Sequence, residues 1–343
     1  MSLDARQSIT SAADTQRPLI HHLTADNSWL LQIPRSGERK YFNILIDPWL
    51  VGSNLETSSW FHEQMHTIPP AAQNIADVER FASEIEVVAR KLCSTNGNTE
   101  DDVPAPESFI DAVAISQPGT DHCNYATLID LPRSVPIFAY EERTVKAVKA
   151  WNHFETVVEI PTFTGDWRST SVSPLPDWIG IGGMAQQQDV QTIHKGIVIT
   201  FKDPSRGGPE TKPEAIVHLP HGLRPDEPAM VELASAVPQL EFLAVLHGML
   251  HVLVGFRFGN IDANMGGHNG LAVKQLLNAK YWIPTHDEPK EKYGFTKLLL
   301  TDVLVPIDEA AAAYAEKTGR EKAEVLKETN FHQLENGGSL VLV

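Results

Sequence analysis

At 343 residues and 42% apolar composition, the chain is long enough for one large domain or two small ones, and its capacity to bury a core sets disorder aside. A formal charge of −16, from 44 acidic against 28 basic residues and without a local basic patch, excludes nucleic acid and anionic membrane as expected partners. The two cysteines, Cys93 and Cys123, cannot build a disulfide framework and fit a reducing compartment. Cys123 directly follows His122 and reads either as a nucleophile or ligand, or as a buried inert thiol. Met1 to Arg17 lacks the apolar core of a secretion signal, and no run approaches the roughly 20 apolar residues of a membrane span. The expectation is a cytoplasmic protein acting on a small molecule, with no sign of an oligomer.

In chain order, a flexible N-terminus (1–18) precedes a single domain (19–343). Leu19 to Leu23, Ser28 to Ile33 and Tyr41 to Ile46 read as strands, the last running into Asp47-Pro48-Trp49. Residues 55–108 break this rhythm with a Trp/His-rich stretch, a helical Ile75 to Leu92 and an acidic, Pro-rich loop from Asn96 to Glu107, and read as an insertion or lid. Strand Ala112 to Ile115 follows, then Pro136 to Ala139 and a helix with Val145, Val148 and Trp151 on one face. Further strands are expected at Thr156 to Ile160, Gly196 to Phe201, Ala215 to Leu219 and Phe242 to Leu246, with a helix near Pro228 to Ala236. Gly180-x-Gly182-Gly183 reads as a tight loop, since no Lys-Ser/Thr follows to make a phosphate cradle. Helix Gly270 to Ala279, strand Tyr281 to Ile283, one helical stretch Asp308 to Lys327 and Ser339 to Val343 close the chain. Mixed strands and helices in this order imply packed sheets with helices outside.

Fourteen histidines are present, and several stand where an apolar strand runs out into a loop. Asp121-His122, His194, His221, His247 and His286 occupy such stations, and loops at strand ends can converge on one pocket. His21-His22, His62 and His66 have no such company and read as strand or lid residues. Trp49, Trp60, Trp178 and Trp282 either wall an aromatic pocket or pack in the core.

Over roughly residues 19–300 the order of these stations resembles the metallo-β-lactamase superfamily. Ile46-Asp47-Pro48-Trp49 is similar to that superfamily's early Asp turn, and Ile115 to His122 to its His-x-His-x-Asp-His motif. His194 falls near its third ligand station, Pro220-His221-Gly222 at its bridging carboxylate, and Ile283-Pro284-Thr285-His286 at its terminal ligand histidine. Pro220-His221-Gly222, Leu246-His247-Gly248 and Ala279 to Glu288 also match the pattern of a fungal branch, which points to secondary metabolism. The resemblance implies a four-layer αββα sandwich, α+β in class, with a helical insertion.

The departures bear on chemistry. Gln117 and Gly119 stand where the superfamily has its first two ligand histidines, so the metal those residues help hold is expected to be absent. The retained half, Asp121, His122, His221 and His286, suits one zinc ion, or Mn or Fe if the site opens further. A hydrolase cleaving an ester, lactone or amide of a neutral small molecule follows, with Asp121 or Asp287 as general base and His268 or His247 stabilising the oxyanion or protonating the leaving group. Gln117, His194 and Trp49 are the expected substrate contacts, and Asp47 either orients a ligand histidine or caps a turn. Two other readings stay open: a metal-free isomerase, dehydratase or cyclase acting on a biosynthetic intermediate, and a ligand-binding member without catalysis.

Overall fold

A computed structural model describes residues 17–93, 106–189, 192–202, 211–256 and 259–343. The expected flexible N-terminus and most of the acidic loop from Asn96 to Glu107 lie outside these residues. Two sheets form the centre. The first has seven strands in the order Ser339–Val341, Leu19–His22, Trp29–Pro34, Tyr41–Ile46, Ala112–Ile115, Ile137–Tyr140 and Val157–Ile160. The second has five, in the order Tyr281–Ile283, Glu241–His247, Glu214–Leu219, Lys195–Phe201 and Ile179–Ala185.

Side chains alternate between the two faces of a strand, and both faces are buried here. Trp29, Leu31 and Ile33 point between the sheets to meet Ile181, Ile197, Ile199 and Leu246, while Leu30 and Leu45 point outward. On the outer face of the first sheet, Ile75, Val78 and Ala82 of helix Ile75–Cys93 and Val145 and Val148 of helix Glu142–Ala150 cover that second row. Met230, Leu233, Val273 and Leu277, from helices Pro228–Ala234 and Gly266–Leu277, do the same for the second sheet. The result is the four-layer αββα sandwich.

The stretch 55–108 divides in two. Its helix is one of the sandwich's outer layers, whereas Asn54–Glu56 and His62–Met65 pair with Glu291–Tyr293 in a small separate sheet. A further three-stranded sheet, Gly259–Met265, Leu250–Phe256 and Leu300–Leu304, has no counterpart in the sequence reading. Gly180 to Gly183 form the middle of strand Ile179–Ala185 rather than a loop. Their small size has a packing cause, since a Cβ at Gly183 would lie 2.0 Å from the ring of Tyr140 in the facing sheet. The single helix expected from Asp308 to Lys327 is two, Ile307–Thr318 and Lys322–Thr329, because Gly319 takes a left-handed φ of 68° and stops the first. No helix among the described residues is long and apolar enough to cross a membrane.

Within each sheet a parallel group aligns carboxyl ends. Tyr41–Ile46 runs parallel to Ala112–Ile115, and Glu214–Leu219 parallel to Glu241–His247, itself parallel to Tyr281–Ile283. The residues just past these ends are Asp47, Ser116, His221 and His286, so the topology itself gathers them at one rim of the sandwich.

Candidate metal centre

His122, His221 and His286 converge at this rim, one ring nitrogen from each lying within 4.8 Å of the others. Which nitrogen faces inward is decided by what holds the opposite one. Nδ1 of His122 donates to Asp47 Oδ2 at 2.8 Å, and Nδ1 of His286 donates to the Asp26 carboxylate at 3.0 Å. Nδ1 of His221 donates to Asn264 Oδ1 at 2.7 Å and lies 3.1 Å from the Ala263 carbonyl. With each Nδ1 proton committed, a neutral ring presents its Nε2 lone pair to the centre, the arrangement that prepares imidazole for a metal.

The orienting groups are themselves fixed. Asp47 is fully buried and also accepts from His218 Nε2 at 2.9 Å, from the Ser116 backbone at 2.7 Å and from Ser116 Oγ. Asp26 also pairs with Lys290 Nζ at 2.9 Å. Asp47 and His286 hold positive φ values of 42° and 62°, a conformation costly for side-chain-bearing residues and one that clusters at functional sites. Burial works against the charge of Asp26 and Asp47, but the histidines around them and Lys290 outweigh it and hold both carboxyls far below their ordinary range.

Nε2 of His122 and Nε2 of His221 are 3.2 Å apart. Two facing lone pairs repel, so this contact needs a proton or a cation between the rings. Tetrahedral zinc with nitrogens at about 2.0–2.1 Å places them roughly 3.3 Å apart, so the spacing fits a metal centre. Burial opposes the charging of His122, yet the carboxylates of Asp121 and Asp47 raise its pKa, whereas burial and the neighbouring imidazoles hold His221 well below its usual value. Burial also lowers His286, against the pull of Asp26. Asp121 stands 3.7 Å from Nε2 of both His122 and His286.

Gly119 explains the local shape of the motif loop. A Cβ there would lie 2.8 Å from Asp121 Oδ1 and 3.9 Å from Glu56 Oε1, so a side chain at 119 would require the Asp121 carboxylate to shift. Gln117 is buried beside the centre, and its amide nitrogen donates to no acceptor among the described residues.

The histidines open into a cavity of about 370 Å³. Leu250, Val252, Ala263 and Leu300 from the three-stranded sheet make an apolar wall, and Asn54, Glu56, His62 and Gln64 from the small sheet face it. The small sheet is pinned to the motif loop, with Thr120 Oγ1 donating to Asn54 Oδ1 at 2.7 Å and the Leu55 backbone donating to Thr120 Oγ1 at 2.8 Å.

Other residues singled out from sequence stand elsewhere. Both nitrogens of buried His247 are engaged, by Asn269 Oδ1 at 2.7 Å and the Gly248 carbonyl at 2.9 Å. His268 is half-exposed on its helix, 3.5 Å from Glu309. Asp287 accepts from the Met249 and Leu250 backbones at 2.8 and 2.7 Å, and burial pushes its carboxyl up to about 7 despite those bonds. None of these three lines the cavity. Trp49 is a buried support whose ring stacks on His66 at 3.8 Å, with Lys290 Nζ 5.8 Å above it. Trp282 is buried and Trp60 exposed, and no tryptophan lines the cavity. His194 is buried, with Asp189 Oδ1 3.2 Å from its Nδ1, and its ring nitrogens make no hydrogen bond among the described residues. Cys123 is a buried thiol, pushed up to about 12 by burial.

Asp26, Asn264, His218, Glu56 and Lys290 escaped the sequence reading, and His62, read there as a strand or lid residue, begins strand His62–Met65 and lines the cavity. The clue for Asp26 was an acidic turn between two strands whose neighbour, Asn27, is polar and equally buried. Glu288, next to the ligand station, clamps His66 Nδ1 at 2.5 Å and the Thr67 and Ile68 backbones at 2.8 and 2.9 Å.

No protein-family model matches the chain, and no curated protein does. Solved structures do. An isothiocyanate hydrolase from Delia radicum gut bacteria aligns with a TM-score of 0.51 at 14% identity, over 95% of this chain and 99% of its own. A possible metal-dependent hydrolase from Veillonella parvula aligns with a TM-score of 0.53 at 11% identity, over 95% and 100%. The diiron β-hydroxylase CmlA from Streptomyces venezuelae aligns with a TM-score of 0.50 at 12% identity, over 95% of this chain and 54% of that one. At such identities the likeness is one of fold, and the fold is the metallo-β-lactamase-like sandwich.

Proposed function

We propose that the chain is a hydrolase dependent on one divalent metal ion, cleaving an ester, lactone or amide of a small molecule neutral at its reacting group. The observation that carries this reading is the convergence of three imidazole Nε2 atoms whose Nδ1 atoms are already engaged by Asp47, Asn264 and Asp26. His122, His221 and His286 would hold the ion and Asp121 would add an oxygen, a set that suits zinc, or Mn or Fe where a fifth position opens for water. Bound there, such an ion acidifies water and polarises a carbonyl. Two of the structural neighbours are described as hydrolases, one of them as possibly metal-dependent, which agrees with this assignment.

The remaining work falls to the chain's own side chains. Among the lining carboxylates, Glu288 is tied to His66 and Asp302 to Lys292, leaving Asp121 and Glu56 facing the cavity beside the histidines. Half-buried Glu56 has its pKa raised, first by burial and then by Asp121, against the Thr120 backbone that donates to it at 3.2 Å. A carboxylate so tuned accepts a proton from water and returns it to a leaving group. The apolar wall of Leu250, Val252 and Leu300 receives the non-reacting part of the substrate.

Hydrolysis of 4-nitrophenyl acetate, a γ-lactone and an anilide, followed before and after 1,10-phenanthroline, tests the reading. The expected result is turnover of at least one class that chelation abolishes and zinc or manganese restores. Turnover indifferent to chelation, or none in any class, would contradict it.

A further inference from the structure

The side of the cavity without ligand histidines still carries polar groups, and they are unsatisfied. Gln117 lines the cavity while only 2% exposed, and its amide nitrogen has no hydrogen-bond partner among the described residues. His194, 3% exposed, has Asp189 Oδ1 3.2 Å from its Nδ1, and its Nε2 has no hydrogen-bond partner among the described residues. Its neighbours Thr192 and Ile193 line the same cavity. A buried donor without an acceptor costs free energy, and native proteins keep few of them unless a ligand supplies the missing partner. Of the cations lining the cavity, Lys290 is held by Asp26 and Lys292 by Asp302, and Arg143 also faces it.

We propose that Gln117, backed by His194, donates hydrogen bonds to one oxygen of the bound substrate, so that this half of the site is a cradle for the oxyanion of a tetrahedral acyl intermediate. The proposal rests on the hydrolytic reading above and names how that site recognises its reacting group. Addition of water forms one bond from its oxygen to the acyl carbon, moves the carbonyl π pair onto the carbonyl oxygen and passes one proton to a carboxylate. Collapse returns that pair to the carbonyl, breaks the bond to the alcohol oxygen or amine nitrogen, and the departing group takes the proton back. Charge sits on the carbonyl oxygen only between the two events, where donors fixed in a buried site stabilise it most.

The test uses methyl phenylphosphonate, a tetrahedral monoanion, and benzoate, a planar one, in calorimetric titrations of zinc-loaded and chelator-treated protein. Gln117→Met keeps the side chain's length and removes the donor, and Gln117→Glu places a negative charge against the probe. Gln117→Met is expected to weaken phosphonate binding by about ten-fold or more with benzoate affinity changed much less, Gln117→Glu to weaken both anions, and zinc content to stay unchanged in both. Gln117→Met is also expected to melt at or above the wild-type temperature, because a buried unpaired amide is gone. His194→Phe should weaken the phosphonate in the same sense. Wild-type phosphonate affinity in Gln117→Met, an equal loss for both probes in Gln117→Met, or no phosphonate binding by wild type in either state would overturn the proposal. Zinc analysis of the same samples reports separately on the hydrolytic reading, whose failure would show as wild-type protein that retains no metal.

Discussion

Replacing Asp47 by asparagine isolates the charge that holds the first histidine of the site. Asparagine keeps the size of the side chain and tolerates the left-handed backbone at this position, where φ is 42°. The carboxylate nevertheless accepts from His122 Nδ1 at 2.8 Å, His218 Nε2 at 2.9 Å and the Ser116 backbone at 2.7 Å, and an amide cannot accept on both of its ends. An amide NH2 turned toward His122 drives the ring proton from Nδ1 to Nε2, which removes the inward lone pair. Loss of such an orienting partner lowers metal affinity by roughly 10–100-fold, or about 1.4–2.7 kcal/mol. Competition of wild type and Asp47→Asn against a chromophoric zinc chelator at fixed pH measures the ratio, and thermal melts of the metal-free proteins confirm that the variant folds. Zinc affinity within two-fold of wild type in a folded variant would refute the claim that Asp47 prepares His122 for a metal.

Other expectations follow from the same contacts. His21, buried among Gln32, Ser339 and Phe81, is lowered to about 4, chiefly by burial and against its bond to Gln32. The unfolded chain therefore takes up the proton more readily, and the stability His21 contributes is complete above its ordinary value of 6.5 and is lost as pH falls toward 4. Between pH 7.5 and 4.5 this amounts to about 2.5 kcal/mol, so urea melts of His21→Gln should show a pH dependence shallower by that order, and an unchanged slope would count against it. Gly183→Ala, whose Cβ would meet the Tyr140 ring at 2.0 Å, should cost about 1–3 kcal/mol in denaturant melts, with part recovered in combination with Tyr140→Ala. A neutral Gly183→Ala would mean that the two sheets are not packed at that point as described.

Much of the sandwich was legible because its strands are buried on both faces and read as apolar runs ending in Asp or His. The stations at His221 and His286 stood out for that reason, as each closely follows such a run, while His122 ends the loop that follows Ala112–Ile115. Residues that orient them did not. Asp26 sits in a turn, where an acidic residue is commonplace, and His218 lies inside a strand, where one polar residue in an apolar run carries no positional signal. Asn264 belongs to the three-stranded sheet, whose edge strand Leu300–Leu304 is largely exposed and lacks the alternation that marks a buried strand. His247 and Asp287 share the sequence context of the convergent residues, yet the hydrogen bonds that engage them are structural and depend on residues outside the local motif. Gly180 to Gly183 misled in the opposite direction, because a glycine chosen for close packing across two sheets is indistinguishable in sequence from one chosen for a turn.

The central claim is that three oriented histidines hold one metal ion. Protein purified without chelator, dialysed and analysed by mass spectrometry for zinc, manganese and iron tests it most directly, alongside His122→Ala and His286→Ala. The account predicts close to one equivalent of a single metal in wild type and its loss in both variants. A wild type that holds no metal after reloading, or variants that retain the full equivalent, would contradict it.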